Sequence, residues 1–284
     1  MRSETQAPIT VLAIGAHPDD CDLGAGGIAT LYARAGHRVH FLAMTNGDAG
    51  HHEMGGAPLA RRRLAEAQAA AGVIGIRYTV LDNHDGELEP TLANRRLMVR
   101  LIREITPDLV LTHRPNDYHP DHRYTSLLVQ DAAYMVTVPG VVAQTPHLSA
   151  NPVICYMSDR FVRPYPFTPD VAVAIDEALE DKLDMLHQHT SQVYEWLPYN
   201  AGVLAEVPTG EEERRTWLRR TYAPRSADVA DRYRDLLTAC YGPARAREVR
   251  HAEAFEASEY GAPLTREARA RLFPFWGVSR DGGE

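Results

Sequence analysis

The sequence predicts an α/β fold: a Rossmann-like, mostly parallel sheet with helices on both faces, followed by a helical C-terminal extension. Apolar runs of strand length alternate with longer helical segments over the first 195 residues, which is the pattern of βαβ units. The most polar loops directly follow apolar runs, as expected at the carboxyl edge of a parallel sheet. After residue 195 the alternation gives way to segments rich in arginine and glutamate.

The first half of the chain divides into strands and helices at apolar runs and helix-breaking residues. Residues 9–16 form an apolar run that predicts a buried strand, and a helix follows the polar loop after it. The pair Thr106-Pro107 ends a later helix, because proline disfavours helical backbone in the residue before it. On these criteria we expect strands at 9–16, 38–44, 78–81 and 109–112, and helices at 26–35, 60–71, 92–105 and 123–135.

The second half of the chain completes the sheet and then turns helical. We expect strands at 153–156 and 171–175, then a helix over 176–193 that begins at Asp176 as N-cap. The expected helices of the extension are 211–220, 227–240 and 244–258. The sequence therefore predicts an α/β domain over 1–195 and a helical extension over 196–284 packed on the same domain.

The composition is that of a globular protein with an acidic surface. Of 284 residues, 44% are hydrophobic and 24% are charged, and the net charge is -8 with a pI near 5.9. A negative surface repels phosphate backbones and anionic lipids, so we expect neither nucleic acid nor a membrane as partner. The three cysteines are scattered, and residues 1–17 lack a basic segment ahead of a long apolar one. These features predict a cytoplasmic protein.

Two short polar motifs follow predicted strands, HPDD at 17–20 and HPDH at 119–122. Neighbouring strands of a parallel sheet would bring the two motifs together at its carboxyl edge. Imidazole nitrogens and carboxylate oxygens are zinc ligands, and a catalytic zinc site uses three of them and leaves a position for water. His17, Asp20 and His122 provide such a set. The adjacent carboxylate of the first motif is then placed to take a proton from that water.

A nucleotide-binding loop is the main alternative for the turn after the first strand. A dinucleotide site needs G-x-G-x-x-G, whose bare backbone amides face a pyrophosphate. Here the turn carries Asp19, Asp20 and Asp22, and three carboxylates repel a pyrophosphate. The glycines of the following LGAGG segment have a different spacing and indicate close packing of a helix. We therefore favour the metal site.

The two motifs also resemble a known family. AHPDD at 16–20, followed by LGAGG, together with HPDH at 119–122 is similar to the PIG-L/LmbE-like family of zinc-dependent de-N-acetylases. That family includes the deacetylases of N-acetylglucosaminyl-phosphatidylinositol and of the mycothiol and bacillithiol pathways. The resemblance covers most of the first 195 residues, including Arg63, Glu66 and the segment KLDMLHQHTSQ at 182–192, with a weaker match, AEAF, at 252–255.

The resemblance implies a role for each motif residue. The zinc ligands would be His17, Asp20 and His122, although another divalent metal is an open alternative. Asp19 would be the general base. His119 would stabilise the oxyanion or protonate the leaving amine, with Asp121 orienting and charging it. Residues 1–195 would then be the catalytic, deacetylase-like domain.

Substrate contacts are less clearly marked in the sequence. Arg63 matches a family position that contacts the sugar, but an exposed, solvated arginine on a helix is an equally good interpretation. Asp85, in the polar loop 83–87, is a second candidate for contact with sugar hydroxyls. His51 and His52 lie near the expected site, and we expect them to be solvated. His113 either supports the metal ligands from behind or only packs beneath them.

Two positions differ from the family pattern. Cys21 follows the HPDD motif where glutamate is common, and we expect it to be a small, buried and inert residue rather than a ligand. Asp117 stands where some members carry a tyrosine. The neighbouring Tyr118 lies one residue nearer to the motif, so the tyrosine's role is not transferred to it.

The sequence thus predicts a zinc-dependent hydrolase that removes an N-acetyl group from an amino sugar or a GlcNAc-containing glycoside. Its partner would be a small N-acetylated sugar, and a homo-oligomer is possible. One alternative is an amidase of another N-acyl substrate, such as a thiol conjugate or a natural-product intermediate. The other is a non-catalytic module that binds sugar or metal.

Overall fold

A computed structural model describes residues 7–276, and within that range the chain builds a seven-stranded sheet. The strands are β1 Thr10–Gly15, β2 Arg38–Thr45, β3 Arg77–Asn83, β4 Leu109–Thr112, β5 Val153–Met157, β6 Val171–Ala174 and β7 Ala252–Ala257. They lie in the order β3-β2-β1-β4-β5-β7-β6. Strands β1 to β5 pair in parallel, and β7 is antiparallel to both of its neighbours. The predicted α/β class with a mostly parallel sheet is confirmed.

Helices follow most of the strands. They are α1 Asp20–Arg34, α2 Gly56–Ile74, α3 Leu92–Ile105, α4 Pro120–Met135, α5 Leu179–Gln188, α6 Leu197–Asn200, α7 Glu211–Arg232, α8 Arg234–Glu248 and α9 Arg266–Leu272. Helix α3 has the predicted bounds. Helix α1 begins six residues before the expected start, because the loop after β1 is very short. The segment expected to be one helix over 176–193 is a 3₁₀ turn, Asp176–Ala178, followed by α5 and a π-helical turn, Ser191–Trp196. Asp176 lies within the 3₁₀ turn and is not the N-cap of α5, which is Ala178. Within residues 7–276 no helix has the length and apolar character needed to cross a bilayer.

The expected helix over 244–258 is wrong from residue 249 onward. Helix α8 ends at Glu248, and the segment AEAFEA becomes β7, which lies between β5 and β6. Alanine and glutamate favour helix, but backbone pairing on both sides and burial of Phe255 in the main core override that preference. The extension therefore contributes an internal strand to the sheet. The boundary at residue 195 stays a prediction.

The strands alternate their side chains between two core layers. In β1, Val11 and Ala13 face α1 and α2, whereas Leu12 and Ile14 face α3 and α4. Because both faces are covered by helices, every residue of β1 is buried and the strand is apolar on both sides. This arrangement leaves the carboxyl ends of β1 and β4, where the two motifs begin, next to each other.

A buried ion pair ties the extension to α1. The Lys182 ammonium lies 2.6 Å from Glu253 Oε1 and also donates to the Leu23 carbonyl oxygen at 2.8 Å. The Glu253 carboxylate accepts from the backbone N–H groups of Gly27 and Ile28 at 2.9 and 2.8 Å. Both charges therefore have partners, as burial requires. The pair fixes the middle of the helix whose first turn carries Asp20.

Candidate active site

The loop after β1 is folded around one carboxylate. Asp20 Oδ2 accepts from the backbone N–H groups of Ala16 and His17 at 2.9 and 2.7 Å. These bonds hold the Asp20 side chain against the end of the strand and turn the chain directly into α1. The same turn places Asp19 at the N-cap position, so both carboxylates of the motif lie at the carboxyl edge of the sheet.

The second motif opens α4. His119 is the N-cap, and its Nδ1 accepts from the backbone N–H of Asp121 at 3.2 Å, while Pro120 occupies the first helical turn. This is the position where a side-chain acceptor and a proline both suit a helix start. Because His122 lies on the first turn of the same helix, both imidazoles of the motif are directed toward the β1 loop.

The three predicted metal ligands lie close together. His17 Nδ1 lies 3.3 Å from Asp20 Oδ2 and 3.3 Å from His122 Nε2, and His122 Nε2 lies 3.5 Å from Asp20 Oδ1. Ligand atoms bound tetrahedrally to Zn²⁺ at about 2.1 Å lie about 3.4 Å apart. The two Asp20 distances are to different carboxylate oxygens, and the sets whose single ligand atoms all lie within 4.8 Å of one another include His17, His119 and His122, and Asp20, His113 and His122. The donor types and these separations suit a zinc-sized cation. Although burial raises it, the charges of His122 and His113 hold the pKa of Asp20 well below its usual value.

Further carboxylates orient the outer nitrogens of these histidines. His17 Nε2 lies 3.1 Å from Asp85 Oδ1 and 3.3 Å from Asp121 Oδ2, and His122 Nδ1 lies 3.1 Å from Asp117 Oδ1. Such partners fix the ring and leave the other nitrogen for a cation. The Asp121 carboxylate accepts from the backbone N–H groups of Gly86 and Leu88 in the loop after β3, and it also lies within 4.8 Å of a His119 ring nitrogen. The expected role of Asp121 in orienting His119 stays a prediction. Nothing in the sequence indicated that Asp117, at the position where some family members carry a tyrosine, would contact His122.

His113 supports the centre from behind. Its ring stacks on His122 with centroids 4.0 Å apart, and its Nε2 lies 3.2 Å from Asp20 Oδ2. Nε2 also accepts from the Ala16 N–H at 3.1 Å. Of the two interpretations left open for this residue, contact with the predicted ligands is the one observed.

Asp19 is buried and paired with Arg63. Arg63 Nη2 lies 2.7 Å from Asp19 Oδ1, and Arg63 Nη1 lies 3.8 Å from Asp85 Oδ2. The Arg63 side chain is 2% exposed, so the solvated-arginine interpretation is wrong. Burial raises the pKa of Asp19 above its usual value, against the opposing positive charge of Arg63. A carboxylate held in this way is a stronger proton acceptor than one in water.

His119 is set up as a hydrogen-bond donor. Its Nδ1 accepts a backbone N–H, so the neutral ring carries its proton on Nε2. Burial lowers the pKa of His119, which favours this neutral form. The ring lies 4.6 Å from that of His17, edge to face, and is therefore close to the predicted cation.

A second buried layer lies beneath Asp19. Asp22 Oδ2 is 3.2 Å from His189 Nε2 and accepts from the Tyr78 hydroxyl at 3.2 Å. Although burial lowers it, the Asp22 carboxylate raises the pKa of His189. Glu66 accepts from the N–H and hydroxyl of Ser191 at 2.9 and 2.6 Å and so holds the segment that carries His189. The family-like segments around Glu66 and His189 thus support the site rather than line it.

Of the remaining expectations near the site, the one for Cys21 agrees with the structure and the one for His51 and His52 does not. Burial raises the pKa of the Cys21 thiol well above its usual value, which agrees with a buried, inert cysteine. The expected solvation of His51 is wrong: its side chain is 4% exposed, and Nε2 lies 2.8 Å from Glu195 Oε2. His52 is also largely covered and stacks between His51 and Tyr199. Residues that are distant in the sequence cover both rings, and no local sequence pattern predicts such contacts.

A cavity of about 420 Å³ adjoins the centre on the side of β4 and β5. One end is lined by Asp20, His113 and His122, and the opposite wall is helix α7 of the extension. The predicted extension therefore forms part of the surroundings of the site. The α7 residues on this wall are Arg225, Ser226, Asp228, Val229 and Arg232.

Comparison with known proteins agrees with the two motifs. The family model "PIG-L: GlcNAc-PI de-N-acetylase" matches residues 12–133. Diacetylchitobiose deacetylase of Thermococcus kodakarensis is 33% identical over 206 residues, which cover 66% of this chain and 74% of the relative. The chain belongs to the PIG-L family. The predicted membership in a family of de-N-acetylases is thus confirmed, and PIG-L hydrolases act on N-acetyl amides.

Two further relatives show the range of the PIG-L fold. The N,N'-diacetylchitobiose deacetylase of Pyrococcus horikoshii superposes with a TM-score of 0.68 at 22% identity, over 89% of this chain and 85% of that one. 4-Oxalmesaconate hydratase of Pseudomonas putida is 26% identical over 201 residues, covering 67% of this chain and 76% of the relative. Relatives of this chain therefore include both deacetylases and a hydratase.

Proposed function

We propose that this protein is a zinc-dependent hydrolase that removes the N-acetyl group from an amino sugar or a GlcNAc-containing glycoside and releases acetate. The observation that carries the proposal is the convergence of His17, Asp20 and His122 beside a buried carboxylate, Asp19. Membership in the PIG-L family and the name of the 33% identical relative support the N-acetylated sugar as substrate. His17, Asp20 and His122 would hold the cation.

A bound Zn²⁺ would supply Lewis-acid polarisation of the acetyl carbonyl and a lowered pKa of the attacking water. Asp19 accepts the proton of that water as its oxygen attacks the carbonyl carbon. Arg63, 2.7 Å from the carboxylate, keeps Asp19 oriented and ionised before the proton arrives. Burial of this pair excludes competing hydrogen bonds from bulk water.

His119 acts on the other side of the carbonyl. Its Nε2–H donates to the oxygen on which negative charge develops, because Nδ1 is already occupied by a backbone N–H. The C–N bond then breaks, and the amine leaves with the proton that Asp19 accepted, giving acetate and a free amino sugar. We propose this donor role for His119, whereas Asp121 acts by orienting His17.

Arg63 and Asp85 border the space in which the sugar would lie. Both are nearly buried, and each is paired to a residue of the centre, Arg63 to Asp19 and Asp85 to His17. We propose that Asp85 Oδ2, which lies 3.8 Å from Arg63 Nη1, accepts from a sugar hydroxyl while Arg63 mainly positions Asp19. The substrate is thereby linked to the base through two ion pairs.

The choice of metal, the compartment and the assembly belong to the same proposal. Carboxylate and imidazole ligands suit zinc, and other divalent metals also accept them. Cys21, Cys155 and Cys240 are free thiols, which fits the reducing cytoplasm. We propose a small-molecule partner rather than nucleic acid or a membrane, from the net charge of -8. A homo-oligomer stays a prediction.

The decisive experiment measures acetate release from N-acetylglucosamine and N,N'-diacetylchitobiose by the zinc-loaded protein. We expect acetate and free amine in equal amounts, loss of turnover with a chelator, and recovery when Zn²⁺ is restored. Asp19→Asn should retain bound zinc and lower kcat by about 10²- to 10⁴-fold. Asp235→Asn, an exposed position on α8, is the matched control.

Three results would contradict parts of the proposal. Normal turnover by Asp19→Asn would exclude Asp19 as the base. Absence of acetate from a broad panel of N-acetyl sugars, despite stoichiometric zinc, would overturn the sugar deacetylase. Cleavage of a thiol-conjugate or natural-product amide instead would favour the amidase alternative, and addition of water to a double bond without acetate release would indicate a hydratase.

A further inference from the structure

We propose that the cavity between the centre and helix α7 is an acyl pocket, which binds N-acyl groups that are longer than acetyl and end in a carboxylate. The substrate class is then an amino sugar whose amide nitrogen carries the acyl group of a dicarboxylic acid, such as succinyl. This inference rests on the proposed function and extends it to the acyl side of the amide. The water oxygen still bonds to the acyl carbon and the C–N bond still breaks, so the products are a dicarboxylate and the amino sugar.

The cavity lies on the opposite side of the centre from the proposed sugar contacts. Asp85 follows β3, and Arg63 belongs to α2, which connects β2 to β3. The cavity lining instead includes Met157, at the end of β5, and residues of α7. The centre lies between these two groups, at the ends of β1 and β4 in the order β3-β2-β1-β4-β5. Because an amide carbon bonds to nitrogen on one side and to the acyl chain on the other, a sugar near Asp85 directs its acyl chain into the cavity.

The cavity is larger than an acetyl group requires. Its volume of about 420 Å³ lies within the range of small-molecule sites, about 300 to 1,000 Å³. An acetyl group would place only one methyl there. The lining includes the apolar side chains of Leu23 and Met157. Such side chains suit the methylene groups of a longer acyl chain.

The cavity lining carries an excess of positive charge outside the centre. Apart from Asp20 and Asp117, which belong to the centre, it has five cationic side chains and three carboxylates. The cationic residues are Arg114, Arg160, Lys182, Arg225 and Arg232, and the carboxylates are Asp159, Asp228 and Glu253. The excess of two positive charges contrasts with the net charge of -8 of the whole chain. The cavity therefore favours an anionic ligand group.

Two of the five cationic residues are already compensated. Lys182 lies 2.6 Å from Glu253, and Arg114 lies 3.0 Å from Asp159. Both cationic side chains are buried. The excess charge therefore belongs to the other three arginines.

These three arginines are exposed and share one carboxylate. Arg232 and Arg160 both contact Asp228 Oδ2, at 2.7 and 3.3 Å. Among the described residues no carboxylate forms an ion pair with Arg225, whose guanidinium lies 4.6 Å from the centroid of the Tyr222 ring. Residues 225, 228, 229 and 232 have the i, i+3, i+4, i+7 spacing of one helix face, and all four line the cavity. An acyl carboxylate at this face would receive charge-assisted hydrogen bonds from arginine.

The test is the charge ratio, defined as kcat/KM for N-succinylglucosamine divided by kcat/KM for N-butyrylglucosamine. The two acyl chains have the same number of carbons and only succinyl ends in a carboxylate. We expect a wild-type ratio of about 10 or more, and Arg225→Gln should lower it by about five- to tenfold, because a hydrogen bond to a charged group is lost. Arg220→Gln, which removes an exposed arginine of α7 outside the cavity lining, is the control and should leave the ratio unchanged.

Asp228→Asn should change the charge ratio in the opposite direction. The amide keeps the shape of the side chain but removes the carboxylate that Arg160 and Arg232 share. Both arginines then become free to pair with the acyl carboxylate. We expect the ratio to rise by about two- to fivefold, the size of an exposed charge interaction. A merely structural role of Asp228 would change kcat/KM of both substrates equally.

The outcomes separate this inference from the proposed function. Acetate release from N-acetylglucosamine with a wild-type charge ratio near 1 would overturn the acyl pocket and leave the deacetylase intact. Turnover of none of the N-acyl glucosamines, acetyl included, by the zinc-loaded protein would overturn the proposed function itself. A high charge ratio that neither Arg225→Gln nor Arg232→Gln lowers would overturn the placement of the carboxylate at α7. If Arg225→Gln instead impairs turnover of N-acetylglucosamine 6-phosphate relative to N-acetylglucosamine, the arginines face the sugar and the inference is wrong.

Discussion

At the residue scale, the two histidines predicted to bind the cation each have an outer nitrogen close to a carboxylate. Asp117 contacts His122 Nδ1, and Asp121 and Asp85 contact His17 Nε2. The opposite nitrogens of the two rings are 3.3 Å apart. Because each outer nitrogen faces a carboxylate oxygen, the inner nitrogens of the two rings face each other across the predicted cation site. A cation can therefore be bound without reorganising the rings.

Asp117→Asn tests this orientation. The amide keeps the shape of the side chain but removes the charge that holds His122 Nδ1. We expect zinc affinity to fall by about 10- to 100-fold, because mutation of a residue that orients a metal-binding histidine typically lowers metal affinity by that factor. Competition with a fluorescent zinc chelator measures the change in Kd.

A surface carboxylate on the following helix provides the control for Asp117. Asp131 lies on α4, pairs with Arg95 at 3.4 Å and has no contact with the centre. Asp131→Asn should leave zinc affinity unchanged. Equal zinc affinity in Asp117→Asn and wild type would show that the 3.1 Å contact does not orient the ligand.

At the element scale, helix α1 is positioned by glycines at its contacts. A Cβ on Gly27 would lie 2.8 to 2.9 Å from three side-chain atoms of Ile175, and one on Gly24 would lie 2.5 Å from Met157 Sδ. The helix thus packs closer to β5 and the end of β6 than alanine would permit. Its first turn carries Asp20, so this close approach sets the position of the site relative to the sheet.

Two glycine-to-alanine variants in different helices separate packing from helix propensity. Gly27→Ala should lower the free energy of unfolding by about 1 to 3 kcal/mol, because the Ile175 Cβ cannot move aside without shifting backbone. Gly72→Ala lies in α2 where a Cβ would meet open space, and it should raise the free energy of unfolding by about 0.5 to 1 kcal/mol. Urea denaturation of both variants provides the comparison. Equal effects in both would contradict tight packing at Gly27.

At the scale of the whole molecule, the extension completes the fold. Within residues 7–276, β6 pairs with β7 and with no other strand. Phe255, Leu272 and Phe273 lie in the same core as β1 and α1. Helix α7 also forms a wall of the cavity beside the centre. Residues after 195 therefore contribute to both the sheet and the site's surroundings.

Truncation tests this dependence. A chain that ends at residue 195 loses β7, so β6 loses its pairing partner and the core loses two phenylalanines. We expect it to lack a cooperative thermal transition and a near-UV circular dichroism signal. A cooperative, acetate-releasing fragment 1–195 would show instead that the first domain folds alone.

The local sequence predicted the bounds of a helix or strand where its apolar pattern or a helix-breaking residue by itself determines those bounds. Helix α3 has an apolar stripe and ends before Pro107, and strand β4 is a four-residue apolar run, so both were predicted with their observed bounds. Strand β7 was missed because alanine and glutamate favour helix and only the neighbouring strands make it extended. Arg63 was ambiguous because a helical arginine is usually exposed, and only its distant partner Asp19 buries it.

By itself, the sequence determined the family, the α/β class and the residues that could bind a metal. The family and the metal-binding residues follow from contiguous motifs, and the fold class follows from the spacing of hydrophobic residues along the chain. Tertiary structure alone decided which carboxylate orients which histidine. It placed Asp121 beside His17, Asp117 beside His122 and Arg63 beside Asp19. These contacts join residues from different loops, and their distances depend on how strands and helices pack. No local pattern encodes them.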